Sequence, residues 1–183
     1  MNCSICHIQL QRIDLLQSAL PAYRCPQCEG VWISANEYLR WRQAQGPTLP
    51  ERVADISNIP KIDVPQVKLC PADGHFLRRY HVIANEEFYL DRCTYCNGVW
   101  FDKGEWDVLV ARNLHDKLNQ FFTQPYQSHL QEQEAYTALD RFYLGKFGEE
   151  DYGRIREIRD WLTNHPKRAM LLAYLQAENP YKM

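Results

Sequence analysis

The residues with the most chemistry to offer are seven cysteines: Cys3, Cys6, Cys25, Cys28, Cys70, Cys93 and Cys96. Six of them form three Cys-x-x-Cys pairs. The opening residues, MNCSICHIQLQR, lack the basic start and apolar run of a secretory signal, so a reducing cytoplasm is the expected compartment. There such pairs hold a metal or carry redox chemistry; they do not build a disulfide framework. Thioredoxin-like redox chemistry needs a βαβ pattern around the pair, and none is readable here.

The first four cysteines read C-x2-C-x18-C-x2-C. Two residues between thiols let one tight turn aim both sulfurs at one ion. Eighteen residues suffice for a hairpin that brings the second pair back to the first, and RIDLLQSALPAYRC supplies strand, turn and return strand. Four soft thiolates in a tetrahedron suit zinc, with iron as the less favoured alternative. A module this small has too little core to fold alone, so the metal would supply much of its folding free energy.

The pattern then repeats. Cys25 to Glu37 and Cys93 to Glu105 are identical at six of thirteen positions, including Gly-Val-Trp. Upstream, Cys3 precedes Cys25 by 22 residues and Cys70 precedes Cys93 by 23. The second module opens CPADGH, so Asp73 stands where the first has Cys6. Its candidate ligands are Cys70, Cys93 and Cys96 with either Asp73, which holds the register, or His75, which offers the better zinc donor two residues late.

These sites need elements to hold them. Ser34-x-x-Glu37 and Asp102-x-x-Glu105 both fit an N-terminal capping box. Ile33 with Tyr38, and Phe101 with Trp106, fit the accompanying hydrophobic staple. Each module is therefore expected to end in a capped helix. Trp32 and Trp100 are placed to cover their metal hairpins, and Trp106, Leu109 and Val110 to face a core. Glu37 and Glu105 are read as caps, with no catalytic role.

CPQCEGVWISANE and DRCTYCNGVWFDKGEW resemble the bacterial TFIIB-type zinc-finger family of small zinc ribbons, over roughly residues 1–45 and 69–112. The resemblance implies zinc ligation by Cys3, Cys6, Cys25 and Cys28, and by Cys70, Asp73, Cys93 and Cys96. The family's aspartate variant favours Asp73 over His75. The motif itself carries no activity.

The expected fold class is α+β: zinc-ribbon module 1 (1–45), a Pro-rich linker (46–68), zinc-ribbon module 2 (69–112) and an all-α region (113–183). In the last region apolar residues recur at helical spacing at Tyr136, Leu139, Phe142 and Tyr143, then at Tyr152, Ile155, Ile158, Trp161 and Leu162. A third helix follows Pro166, and the three are expected to form a helical hairpin or small bundle.

Formal net charge is −2, and no stretch approaches a membrane span. The balance disfavours a nucleic-acid binder, whose surface is usually strongly basic. Arg154, Arg156, Arg159, Lys167 and Arg168 are the best candidates for phosphate contacts, but Glu157 and Asp160 interrupt them. The expected function is a non-enzymatic adaptor holding two zinc ions and presenting surfaces to a protein partner. A transcription-associated nucleic-acid binder is the first alternative. A metal-dependent hydrolase or metal-handling protein is the second, reached if the second ion keeps an open position.

Overall fold

A computed structural model describes residues 1–16, 20–46, 59 and 62–181. Most of the expected 46–68 connector lies outside the described residues. The chain forms two compact units, Met1–Gln133 and Glu134–Met183.

The first unit is built on one antiparallel sheet. Its strands are β1 (Gln11–Leu15), β2 (Leu20–Arg24), β3 (Val31–Ile33), β4 (Leu77–His81), β5 (Tyr89–Cys93) and β6 (Val99–Phe101). Their order across the sheet is β1-β2-β3-β6-β5-β4. Each module contributes three strands, and the modules join edge to edge through β3 and β6. The register there pairs Val31 with Phe101, Trp32 with Trp100 and Ile33 with Val99. The repeated Val-Trp-apolar phrase thus lies on a pseudo-two-fold axis, with each copy covering the other's open edge.

Side chains alternate across a strand, so the repeated triplets feed two cores at once. Val31, Ile33, Val99 and Phe101 face a cluster that includes Leu20, Tyr38, Trp41, Leu90, Trp106 and Leu109. Trp32 and Trp100 face the opposite side, with Cys3, Cys25, Cys70 and Cys93. All six triplet residues are buried.

Each tryptophan crosses to the neighbouring module. A Cβ at Gly30 would collide with the Trp100 ring, and one at Gly98 with the Trp32 ring. The expected role of each tryptophan as a lid on its own hairpin becomes a reciprocal lock between the two. The glycines are needed for close approach; their φ angles are not in the left-handed region.

Helix α1 (Ala35–Ala44) follows β3 and α2 (Glu105–Ala111) follows β6. In α1 the Ser34 hydroxyl accepts the Glu37 amide at 3.2 Å and donates to Glu37 Oε2 at 2.7 Å. In α2 half the expected box is present: the Asp102 amide donates to Glu105 Oε2 at 2.7 Å. Its other half is absent, because the helix starts later, after Gly104 at φ 81°, and the Asp102 carboxylate is engaged elsewhere. Phe101 and Trp106 pack edge to face at 5.4 Å, although the later start of α2 takes them out of staple register, and Ile33 and Tyr38 are buried in one cluster.

The short helix α3 (Leu118–Phe121), not anticipated from the sequence, closes the core with buried Leu118 and Phe121. Tyr38 fixes the approach to it. Its hydroxyl donates to the His115 carbonyl at 2.9 Å and accepts the Leu118 amide at 3.1 Å. Helix α4 (Gln124–Phe147) starts beside β4, with Tyr126 Oη donating to the Val82 carbonyl at 2.6 Å.

The second unit takes the rest of α4, with α5 (Glu149–Thr163) and α6 (Arg168–Gln176). Their helical character agrees with the periodicity, but the apolar stripes are not buried as a bundle would bury them. Within residues 134–176 only Leu162 is buried.

Candidate metal centres

Each Cys-x-x-ligand pair sits in a turn of one form. The first cysteine's carbonyl accepts an amide four residues on: His7 to Cys3 at 3.1 Å, Glu29 to Cys25 at 3.0 Å, Gly74 to Cys70 at 3.0 Å. Its own amide donates to the carbonyl five residues on in all four turns, from 2.8 to 2.9 Å. The residue after each second ligand is left-handed: His7, Glu29, Gly74 and Asn97 have φ between 59° and 76°. This closure turns amide N–H groups onto the first sulfur. Ile5 and Cys6 amides reach Cys3 Sγ at 3.3 and 3.2 Å, and Tyr95 and Cys96 amides reach Cys93 Sγ at 3.4 Å each. Such donors favour thiolate over thiol.

The turns meet in two clusters. Ligand atoms of Cys3, Cys6, Cys25 and Cys28 all lie within 4.8 Å of one another, as do those of Cys70, Asp73, Cys93 and Cys96. Cys3 and Cys28 sulfurs are 3.5 Å apart, and those of Cys70 and Cys96 3.6 Å. A tetrahedral ion about 2.3 Å from each sulfur sets edges of about 3.8 Å. The donor sets therefore fit two tetrahedral ions.

At the second centre the structure places Asp73 inside the cluster, its carboxylate oxygens 3.4 and 3.5 Å from Cys93 Sγ. His75 is not among the converged atoms. Its Nδ1 lies 3.2 Å from Asp73 Oδ1, its amide donates to the same oxygen at 3.0 Å, and its ring stacks on Tyr95 at 4.6 Å. The histidine thus braces Oδ1 of a carboxylate whose two oxygens both lie against Cys93 Sγ. Neighbouring histidines go elsewhere: His81 stacks on Tyr89, and His7 shapes its turn.

Without metal, burial pushes the Cys28 and Cys70 thiols well above the ordinary range and Cys96 up to about 11. Cys25 moves down, because amides of Cys28 and Gln27 outweigh the burial that would raise it. Asp73 also moves down: against desolvation, the His75 amide and the thiols around it hold the carboxylate charged. Metal uptake must therefore displace thiol protons.

Behind the second centre lies a buried ionic triad not recognised in the sequence. Lys68 Nζ donates to Asp91 Oδ2 at 2.5 Å and to Asp102 Oδ2 at 2.8 Å, with no exposure of its side chain. Burial would strip the ammonium of its proton, but Asp102 and Asp91 reverse this and raise its pKa. Burial lifts Asp91 against the pull of Lys68. Asp102 also accepts Trp100 Nε1 at 2.8 Å and the Val64 amide at 2.7 Å. Asp63, Asp102 and Glu105 converge closely enough to suggest a third ion. Lys68 already supplies the cation there.

One signal could have exposed the triad. At the matching positions the first module has Met1, Tyr23 and Ser34. Three departures to charge, in otherwise similar copies, mark residues that act together.

The fold and its two donor sets define a tandem zinc ribbon. The family model described as transcription factor zinc-finger matches residues 2–44 and 69–112, so the chain carries two copies of that family's module. Comparison with curated proteins and with solved structures returned no significant match.

Proposed function

We propose that this protein is a non-enzymatic adaptor in which two zinc ions organise a surface for a protein partner. The observation that carries this reading is the closure of both centres: each gathers four protein donors, the pattern of structural zinc. With Asp73 as fourth donor the second ion would keep no open position, which supports a structural over a hydrolytic role. Zinc is the favoured metal because the donor chemistry and the matched family agree.

Exposed apolar side chains support a surface at the metal turns. In the ribbon unit, Met1, Ile8, Leu69, Phe76 and Tyr95 are large, exposed and carried on or beside the metal turns. Bridges Asn2–Gln9 and Leu69–Phe76 frame these turns, and the Ser4 hydroxyl ties the two modules by donating to the Leu69 carbonyl at 2.7 Å. Metal binding thus shapes the segments that present Phe76 and Tyr95.

The test is affinity capture from the native host with zinc-loaded protein, its chelated form and the Phe76→Ser variant. A partner retained by the first and lost by the other two is expected. A partner set indifferent to both treatments overturns the reading. The description of the matched family favours a transcription-associated role as second reading. A gel shift at low salt that weakens steeply with added salt would favour it.

A further inference from the structure

The second unit has more apolar surface than one copy can use. On α4 beyond residue 134, Tyr136, Leu139, Phe142, Tyr143, Leu144 and Phe147 are exposed. Ile155, Ile158 and Trp161 on α5, and Met170, Tyr174 and Leu175 on α6, are exposed too. Each is about half open, and a large side chain buries about 150–250 Å² when fully covered. Together they offer on the order of 1,000 Å² per chain, more than the ~800 Å² per partner of a standard interface. Half of them are aromatic, a type enriched at interfaces. Between α4 and α5 the face opens into a cleft of about 330 Å³ lined by Tyr136, Leu139, Tyr143, Tyr152 and Arg159.

Charge along this unit says what covers the face. Residues 149–153 carry three acids and no base, whereas residues 154–168 carry five bases against two acids. The acids lie in the first turn of α5, where the helix dipole favours them. Lys167 and Arg168 lie at the start of α6, where the same dipole disfavours cations. Neither makes an ion pair among the described residues, nor do Glu149 and Asp151. A segment of −3 followed by one of +3 is complementary to itself when two copies run antiparallel, and two-fold pairing is the commonest closed symmetry.

We propose that residues 134–176 are a self-association module. Its apolar face docks on the same face of a second copy of this chain, with the acidic first turn of one α5 meeting the basic start of the other's α6. This dimer is independent of the partner surface on the metal turns.

Sedimentation equilibrium of the full, zinc-loaded chain tests it. The expected mass at micromolar concentrations is twice the 21.7 kDa of one chain. Trp161→Ser and Leu139→Ser, at exposed positions, should yield monomers that still bind two metal ions per chain. Reversing Lys167 and Arg168 to Glu should weaken association about tenfold or more, and adding Glu149→Lys and Glu150→Lys should restore it. A monomer at every concentration overturns the proposal, as does a dimer indifferent to the charge reversals. Phe76→Ser should leave the mass unchanged, so failure here and failure of the adaptor reading are read separately.

Discussion

The two ribbons share a backbone plan and differ in what holds it. The first has four cysteines; the second replaces one by Asp73 backed by His75. The first caps its helix with a Ser34–Glu37 pair at the surface. The second turns the equivalent aspartate inward to a buried lysine and a tryptophan. Consequently Trp100 Nε1 has a carboxylate partner, whereas Trp32 Nε1 is buried with no hydrogen-bond partner among the described residues. The lesson is that duplication preserved the metal turns and the Gly-Val-Trp seam. Around them, one copy relies on thiolates and surface capping, the other on a buried ionic network.

The largest effect expected is from metal removal. Structural zinc contributes about 10–16 kcal/mol in isolated fingers, as much as the whole net stability of a typical domain, about 5–15 kcal/mol. Cys25→Ser or Cys93→Ser should therefore cost metal at one centre. Because Trp32 packs on Gly98 and Trp100 on Gly30, the loss should spread to the other ribbon. Metal analysis with tryptophan fluorescence checks this; a variant whose other ribbon keeps native fluorescence would break the idea of a shared seam. Under graded chelation the second centre should empty first, since it has three thiolates where the first has four, and Asp73→Cys should abolish the order.

Next in size is Lys68→Met. It leaves two carboxylates buried without their cation, a loss of about 3–5 kcal/mol. Tyr23 holds the place in the first ribbon that Asp91 holds in the second, so Tyr23→Phe should cost far less. Denaturant unfolding of both variants sharpens the contrast, and equal midpoints would sink it.

Much of this contrast could be read from the chain. Cysteine spacing marked seven of the eight donors, because a turn of fixed length leaves few residues able to reach an ion; between Asp73 and His75 the spacing was silent, and only the family resemblance favoured Asp73. The first hairpin, α1 and the three tail helices followed from spacing, periodicity and capping. The seam between β3 and β6 was not legible, because Val-Trp-Ile is equally suited to an edge or a centre strand until its partner is known. Asp102 was misread for a related reason: Asp three residues before Glu fits a cap, and only the long-range arrival of Lys68 redirects its carboxylate. How far the tail's stripes are buried was not legible, since periodicity shows which face is apolar and not what covers it.

The glycine seam offers a smaller and more symmetric perturbation. Gly30→Ala and Gly98→Ala each push a methyl group into the opposite indole, and overpacking of this kind costs about 1–3 kcal/mol. Near-equal losses of thermal stability are expected, because the two contacts are mirror copies. The pair of variants separates seam from network: a much larger loss at Gly30, whose methyl strikes the indole bonded to Asp102, would mean that the ionic network is strained along with the ring.

The smallest effect depends on pH and contrasts the two helix starts. Glu105 is 3% exposed, and burial, followed by the charge of Asp102, raises its pKa well above the ordinary 4.5. Below that value the carboxyl is protonated in folded and unfolded chains alike, and nothing is lost. As pH rises toward the folded pKa, the unfolded chain ionises while the folded one retains its proton, so stability falls. Glu105→Gln keeps an oxygen for the Asp102 amide and cannot ionise. Its stability relative to the parent should therefore increase steadily with pH above about 4.5. Taking the difference between variant and parent cancels the thiols, which titrate in both. Ser34→Ala, the counterpart test in the first ribbon, removes a cap worth about 1 kcal/mol through a hydroxyl that does not titrate in this range. Denaturant midpoints measured across that range decide the matter: a Glu105→Gln difference flat in pH would mean that burial does not hold the Glu105 proton in the folded chain.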